Sequence, residues 1–379
     1  MNTMGKRDIV FVRMLAQPVP RVARMIHAAK DRGWRTTYVG AHREPGLAAR
    51  EMWEDDTTLR RVGPLLPNLN GKGAAQYVYG LLAFNFAVFR VLLKIRPRVV
   101  HASDLEAAPA ALLWRLVSRA RVIYNVHDNY ADRYNLPGPV RAVLNRLEGL
   151  AVRASTVALV PEPFRRDALP RWCRERIEVV RNAPEPLDVT LPNPDFGQRP
   201  IRILYAGWID AGRGVQELID LADAHAGLVE VVIAGSGDEE LTQRVRESRA
   251  TYLGYVNYAD SLDQMRAADF IAAIYAPTRP INQMAAPNKI AEALALGRPI
   301  VTNAEVLMTA GPEFDDCAIR IPFARVTELA TALADLRSAG PDEYAAMCDA
   351  ARKAYDSLYS WQEMSAAMDN VLDSAGVAR

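Results

Sequence analysis

The sequence predicts an α/β fold built as two domains, each a parallel sheet flanked by helices. Three observations carry this. Short apolar runs alternate with amphipathic stretches twice over, from Asp8 to about Val180 and again from Ile201 onward. Between the two series lies Asn182-Ala-Pro-Glu-Pro, then Leu191-Pro-Asn-Pro-Asp-Phe-Gly-Gln-Arg-Pro200, crowded with prolines and polar residues as linkers are. A chain of 379 residues is also long for one domain. The expected division is 1–182, a linker over 183–200, a second domain over 201–358, and a C-terminal helix over 359–379 that is a candidate to cross back to the first domain.

In the first series, Asp8-Ile-Val-Phe-Val12 reads as a buried strand. Val22, Met25, Ile26 and Ala29 mark one helix face, the helix ends near Gly33, and Thr36-Thr-Tyr-Val-Gly40 is the next strand. The turn from Arg13 to Arg21 contains no glycine. A dinucleotide fingerprint needs glycines there so that the backbone can approach a pyrophosphate, which argues against a nicotinamide dehydrogenase. Arg98-Val-Val-His101 reads as a strand, with Asp104 capping the helix after it, and Arg121 to Val126 as another that runs into His127-Asp128-Asn129-Tyr130. Ligands of open α/β sheets bind outside the carboxyl ends of strands. His101, Asp104, His127 and Asp128 are expected at such ends, where the plainer reading of each is a helix cap or a loop hydrogen bond.

In the second series, Ile203-Leu-Tyr-Ala206 leads into Gly207-Trp-Ile-Asp-Ala-Gly-Arg-Gly214, and Val229 to Ala234 leads into Gly235-Ser-Gly237. Thr251 to Val256 and Asp269 to Tyr275 read as further strands. Ala285-Ala-Pro-Asn-Lys-Ile-Ala-Glu-Ala-Leu-Ala-Leu-Gly297 reads as polar turn, helix and glycine stop, followed by the strand Pro299-Ile-Val301. Asn288, Lys289 and Glu292 fall on that helix's first turn and a half, where free backbone N–H groups and the positive end of the dipole attract an anion. Glycine lets a backbone come close to a ligand, and Arg213 and Lys289 could converge on a diphosphate.

A net charge of +1 gives no argument for nucleic acid as a partner. Cys173, Cys317 and Cys348 are too scattered for a disulfide framework or a zinc site and read as reduced thiols. The N-terminus runs directly into a strand without a signal peptide, so the expected location is the cytoplasm. From Gly73 to Phe89 no residue is charged. A core helix is one reading. The other is a helix resting in a membrane interface, offering Tyr77, Tyr79, Phe84, Phe86 and Phe89, with Lys94, Arg96 and Arg98 behind it. Arg165, Arg166, Arg171, Arg174 and Arg176 form a second basic cluster.

Taken together, Ile203 to Val215, Val232-Ile-Ala-Gly-Ser-Gly-Asp238, Leu253-Gly-Tyr-Val256 and Pro287 to Val301 resemble the retaining, nucleotide-sugar-dependent glycosyltransferases of family 4. Pro20-Arg-Val-Ala-Arg, Val99-Val-His-Ala-Ser-Asp104 and Tyr124-Asn-Val-His-Asp128 resemble that family's first half more loosely. The resemblance implies two Rossmann-like domains facing across a cleft, the GT-B type. It implies donor contacts from Gly207, Arg213, Gly235, Gly237, the Val256 backbone, Asn288, Lys289 and Glu292, with Glu292 on the ribose and Arg213 on the diphosphate. It places His127 toward the donor sugar, with Asp104 and Asp128 beside it as catalytic candidates. Two positions depart from the family pattern. Met284 stands where its first motif glutamate would, and Trp208 where a basic residue often follows the first-turn glycine.

The resemblance therefore implies a glycosyltransferase that moves a sugar from a UDP- or GDP-sugar to a saccharide or lipid-linked acceptor in surface polysaccharide or glycolipid synthesis. No metal or other cofactor is expected, and peripheral contact with the inner face of a membrane is. Retention by same-face attack and inversion with Asp104 or Asp128 as base both stay open at this point. Met284 and Trp208 also suit a non-catalytic partner subunit that keeps the fold. A nucleotide-sugar 2-epimerase is the third alternative.

Overall fold

The computed structural model describes residues 7–65, 73–133, 136–189 and 195–374. It divides into two compact units, residues 1–181 with 362–379, and residues 182–361.

The first unit holds β1 (Asp8–Val12), β2 (Arg35–Ala41), β3 (Arg50–Trp53), β4 (Thr57–Val62), β5 (Val99–Ser103), β6 (Arg121–Asn125), β7 (Val157–Val160) and β8 (Ile177–Val179). Their order is β3-β4-β2-β1-β5-β6-β7-β8. All neighbours are parallel except β3 and β4. The chain starts in the middle of the sheet and builds first to one side, then the other, so the order reverses between β1 and β5. Apolar periodicity does not mark β3 and β4, because arginines run through them. Arg61 is nonetheless buried, donating to the Ala16 and Ala48 carbonyls and pairing with Glu51 at 2.6 Å.

The second unit holds β9 (Ile201–Ala206), β10 (Val229–Ala234), β11 (Thr251–Gly254), β12 (Phe270–Ala273), β13 (Ile300–Asn303) and β14 (Ala318–Ile321). Their order is β11-β10-β9-β12-β13-β14, all parallel, with the reversal between β9 and β12. The stretch expected to be a linker groups with this unit, apart from 190–194, which lie outside the described residues. Its prolines do not leave it loose. Phe196 is buried and stacks on Tyr344 at 4.1 Å between ring centres, and Arg199 meets the buried Asp269 at 2.7 Å.

The tail forms helices over Pro341–Leu358 and Trp361–Ser374. The second groups with the first unit. Met368, Val371 and Leu372 are buried, and Arg32 pairs with Asp369 and Asp373.

The uncharged run lies in a helix over Ala74–Ile95. Phe84, Val88 and Leu92 enter the core, whereas Val78, Tyr79, Leu82, Phe86 and Leu93 are exposed. The expected membrane face is thereby redrawn. Phe84 is core, Phe89 packs edge-on against Trp114, and Tyr77 bonds Tyr130 at 2.7 Å. The second basic cluster also shrinks, because Arg165 is buried against Asp128.

Candidate active site

In the first unit the chemistry gathers where β1, β5 and β6 end, beside the reversal of strand order. Arg13 follows β1, Asp104 follows β5, and His127 and Asp128 follow β6. The strand after Arg98 runs on to Ser103, so His101 lies inside β5 rather than at its end. It is fully buried, with its ring 4.9 Å from that of Phe11. Burial above all, with nearby Arg21, lowers its pKa to about 3. His101 is therefore a neutral core residue.

Asp104 does not cap the following helix, which is entered from Ala107 without a side-chain cap. Its backbone is left-handed (φ 65°), a region aspartate tolerates better than most residues. The carboxylate turns instead to three partners. Oδ1 accepts from the His127 backbone N–H at 3.0 Å, and Oδ2 meets Arg133 at 2.8 Å and Arg13 at 3.3 Å. Burial opposes its ionisation, but Arg133 and Arg13 hold the carboxyl below its usual range. Asp128 is held low in the same way by Arg165, at 2.7 Å, and by Arg133. Neither carboxylate is a basic one.

The His127 ring lies within 2.9 and 3.0 Å of Arg13 Nη1, and its Nε2 lies 3.1 Å from the Asn125 amide nitrogen. Burial, then Arg13 and Arg21, hold it well below its ordinary pKa, so the imidazole is neutral. Arg21 in turn donates to Asn125 at 3.1 Å and to the Val180 carbonyl at 2.6 Å, which binds the first helix to this edge.

Sequence reasoning missed Arg13, Glu106 and Arg133. Glu106 approaches Arg133 at 3.4 Å and the Tyr77 hydroxyl at 3.5 Å. Burial, then Asp104, raises its pKa. A cavity of about 170 Å³ opens here, walled by Arg13, Arg43, Tyr77, Asp104, Glu106 and Arg133 among others. Position was the available signal, because Arg13 directly follows a strand and Glu106 stands two residues past Asp104.

In the second unit the two glycine turns pack on each other, backbone to backbone. A Cβ on Gly235 would lie 1.8 Å from the Gly207 carbonyl oxygen, and one on Gly237 would lie 1.9 Å from that of Ile209. These glycines are therefore required first by a neighbouring main chain, which the sequence reading had assigned to a ligand. The packing aligns both turns past the ends of β9 and β10. Gly214 adopts φ +69°, and its missing Cβ makes way for Ile274.

Arg213 stands just before Gly214, its guanidinium 5.1 Å from the centre of the Tyr275 ring. The helix Asn288–Ala295 starts without a side-chain cap. From its first turn Lys289 reaches back over the Tyr205 ring, with Nζ 4.0 Å from the centre, and comes beside Gly207. Burial and then repulsion from Arg213 lower its pKa to about 7, although Glu292 acts the other way. Among the described residues, neither Arg213 nor Lys289 has a carboxylate at ion-pair distance. Glu292 is buried and accepts from the Tyr258 hydroxyl at 3.2 Å. Val256 is half-buried just past β11, Trp208 is exposed, and Met284 is half-buried at the end of the short helix Pro280–Gln283. The structure thus brings Gly207, Arg213, Lys289 and Glu292 to one edge of the second sheet. Tyr205, Tyr258 and Tyr275 support them, and the sequence had not marked any of these three.

Residues 18–183 match the pattern of a glycosyl transferase 4-like domain, and residues 200–338 that of the glycosyl transferases group 1 domain. No curated protein sequence matches the chain. Among solved structures, sucrose-phosphate synthase from Thermosynechococcus elongatus superposes with a TM-score of 0.77 at 16% identity, over 97% of this chain and 98% of that one. The Anabaena protein HepE, in complex with UDP and glucose, gives 0.72 at 15% identity over 97% and 99%. A lipopolysaccharide outer core galactosyltransferase, WaaB, gives 0.64 at 15% identity over 97% and 99%.

Proposed function

The chain is a nucleotide-sugar-dependent glycosyltransferase of the family 4-like, GT-B kind, and we propose that it transfers a hexose from a UDP-sugar, with retention, to a lipid-linked acceptor in surface polysaccharide or glycolipid synthesis. One observation carries the donor half of this reading. Arg213 and Lys289 are two cations at one sheet edge, repelling each other and, among the described residues, without a carboxylate at ion-pair distance. Such a place is relieved by a ligand bearing two negative charges, and a nucleoside diphosphate is one. HepE, similar in fold, binds UDP and UDP-glucose, which favours uridine over guanosine.

In this reading Arg213, Lys289 and the backbone N–H groups at Asn288 meet the diphosphate, Glu292 takes the ribose hydroxyls, and the main chain at Val256 meets the base. The bond from the anomeric carbon to the diphosphate breaks, and a bond from that carbon to an acceptor hydroxyl oxygen forms. The charge left on the diphosphate is met by the two cations, which is where the catalytic advantage arises. Asp104 and Asp128 are poor bases, because arginines hold them ionised and occupied. That favours retention, with the leaving phosphate accepting the acceptor's proton. His127, neutral and fixed by Arg13 and Asn125, is the sugar contact, and Asp104 is its positioning residue. With Met284 where a carboxylate would meet sugar hydroxyls, donor-sugar selection falls to other groups.

The exposed apolar residues of the Ala74–Ile95 helix support a membrane-side location. Lys94, Arg96 and Arg98 are exposed beyond them, a pairing that suits an anionic leaflet at the cytoplasmic surface. Flotation with anionic liposomes tests this part. Protein that rises at low salt and falls away at high salt supports it, and protein that stays at the bottom means a soluble acceptor.

The donor reading is tested by thermal shift against UDP, GDP and their sugars. A ligand present at about 100 times its dissociation constant stabilises the fold by roughly 2.7 kcal/mol. A shift with UDP and none with GDP is expected, and the reverse selects the other base. The anomeric configuration of the product, read by proton NMR, tests retention. An inverted product would require a base to take the proton of the acceptor hydroxyl, and Glu106, whose pKa burial raises, would be the candidate.

A further inference from the structure

We propose that Tyr205 is a positioning residue of the donor site: the face of its ring seats the Lys289 ammonium beside the Gly207 turn before the donor arrives. This role rests on the donor reading of the second unit. Tyr205 stands next to last in β9, the strand at which the order of the second sheet reverses, and only 2% of it is exposed. A strand buried on both faces accepts any apolar side chain of the right size there, so an aromatic ring with a hydroxyl calls for a reason.

The hydroxyl donates to the Trp208 carbonyl at 2.6 Å, across Gly207, and so anchors the ring to the turn. Burial above all pushes the phenol's pKa up, which keeps it a neutral donor. The ring carries Lys289 Nζ 4.0 Å from its centre. Gly207 makes room for both groups. A Cβ there would meet Lys289 Nζ at 3.3 Å and the Tyr205 hydroxyl at 3.6 Å. One side chain thus touches the lysine and, through Trp208, the turn against which a diphosphate would lie.

A buried ammonium loses its hydration, and burial is the first cause that weakens the charged form of Lys289. Among the groups around it, Arg213 repels it and Glu292, on its own helix, attracts it. Tyr275 and Asp210 act on the Tyr205 phenol from beyond β12 and from the first turn. The Tyr205 ring offers the ammonium a negative face, an attraction that grows as water is excluded. It keeps the lysine charged and aimed at the turn, so the donor need not order a loose side chain. Tyr275 repeats the arrangement under Arg213, but at 5.1 Å, and a guanidinium keeps its proton without help. The lysine is therefore the cation for which the ring matters.

The test follows Lys289 by NMR in the full chain, free of ligand, with isotope-labelled lysines and Lys289→Met to assign the signal. In wild type the protons next to Nζ should resonate upfield of those of the other lysines, as protons over an aromatic face do. Tyr205→Phe keeps that face, and fluorines on the same phenylalanine ring then drain it at almost unchanged shape. Lys289 should titrate in Tyr205→Phe much as in wild type, and about one pH unit lower in the fluorinated form, the tenfold worth of a desolvated cation–π contact. Calorimetry with UDP reads the consequence. The ammonium is the form that meets the diphosphate, so the fluorinated form should bind UDP up to about tenfold more weakly than Tyr205→Phe at pH 8 and only about twofold more weakly at pH 6. A ring that serves the fold alone would change affinity equally at both. The role is overturned if the wild-type protons resonate with the other lysines, if Lys289 titrates alike in Tyr205→Phe and its fluorinated form, or if the loss of affinity does not depend on pH. Lysine signals as expected in a protein that does not bind UDP count against the donor reading instead.

Discussion

The two sheet edges treat their charged side chains in opposite ways. In the first unit nearly every charge is spoken for inside the protein. Asp104 joins Arg13 and Arg133, Asp128 joins Arg165, and His127 sheds its charge altogether. In the second unit Arg213 and Lys289 stand over aromatic rings and, among the described residues, have no carboxylate at ion-pair distance. The first arrangement is set before any ligand arrives, which suits a group that must be held still. The second is completed by its ligand, which suits a site that must release a charged product and take up a new donor.

The sharpest way to break the first arrangement is Asp104→Asn. It leaves the half-buried guanidiniums of Arg13 and Arg133 without the buried carboxylate they share, with only Glu106 left beside Arg133. Removing one partner of a buried ion pair costs about 3–5 kcal/mol. We expect the first unit to melt early while the second, whose contacts are untouched, still binds UDP. A variant that melts as wild type does would mean that water replaces the carboxylate.

Arg213→Ala tests the second arrangement. Losing one charge-assisted hydrogen bond weakens UDP binding by about 1.5–3 kcal/mol, roughly 10- to 200-fold. Apo stability should hold or rise, because Lys289 loses a repulsive neighbour. Unchanged affinity, measured by calorimetry, would falsify the diphosphate role.

His127→Ala gives a smaller binding effect and a different signature. The ring belongs to the self-satisfied edge, so UDP affinity should stay within about twofold while kcat falls by an order of magnitude or more. Should kcat and UDP affinity fall together, His127 is not a contact made to the sugar alone. If stability falls but the folded enzyme turns over normally, the histidine is a structural one.

The contrast also explains what was legible in the sequence. Strands such as Asp8–Val12 and Val229–Ala234 are buried on both faces, so they read as unbroken apolar runs. The strands over 50–62 carry Arg50, Arg60 and Arg61, and the Arg61 charge is neutralised only by groups that folding brings to it. Charge in the sequence hid them. The donor edge was legible because one glycine turn and one helix N-terminus supply most of it, and both are local patterns. Even so, Gly235 and Gly237 were read as room for a ligand, although a neighbouring turn fills that room. The edge of the first sheet was half legible. His127 and Asp128 follow a strand that could be seen, but the role of Asp104 depends on Arg13 and Arg133, which lie far from it in the chain. A cap was the local expectation, and a long-range ion pair prevailed over it.

The central claim is that Arg213 and Lys289, which lack a carboxylate at ion-pair distance among the described residues, are completed by a diphosphate. Lys289, at about 7 without ligand, makes this measurable. A bound dianion favours the ammonium form and raises that value. UDP affinity should therefore fall as the pH climbs above 7, up to tenfold per unit, until the raised pKa is reached. At pH 8 binding should take up close to one proton. Calorimetry of UDP binding at that pH, in two buffers of different ionisation enthalpy, reads the uptake directly. The account predicts an uptake near one in wild type and near zero in Lys289→Met. UDP binding without proton uptake in wild type would contradict it.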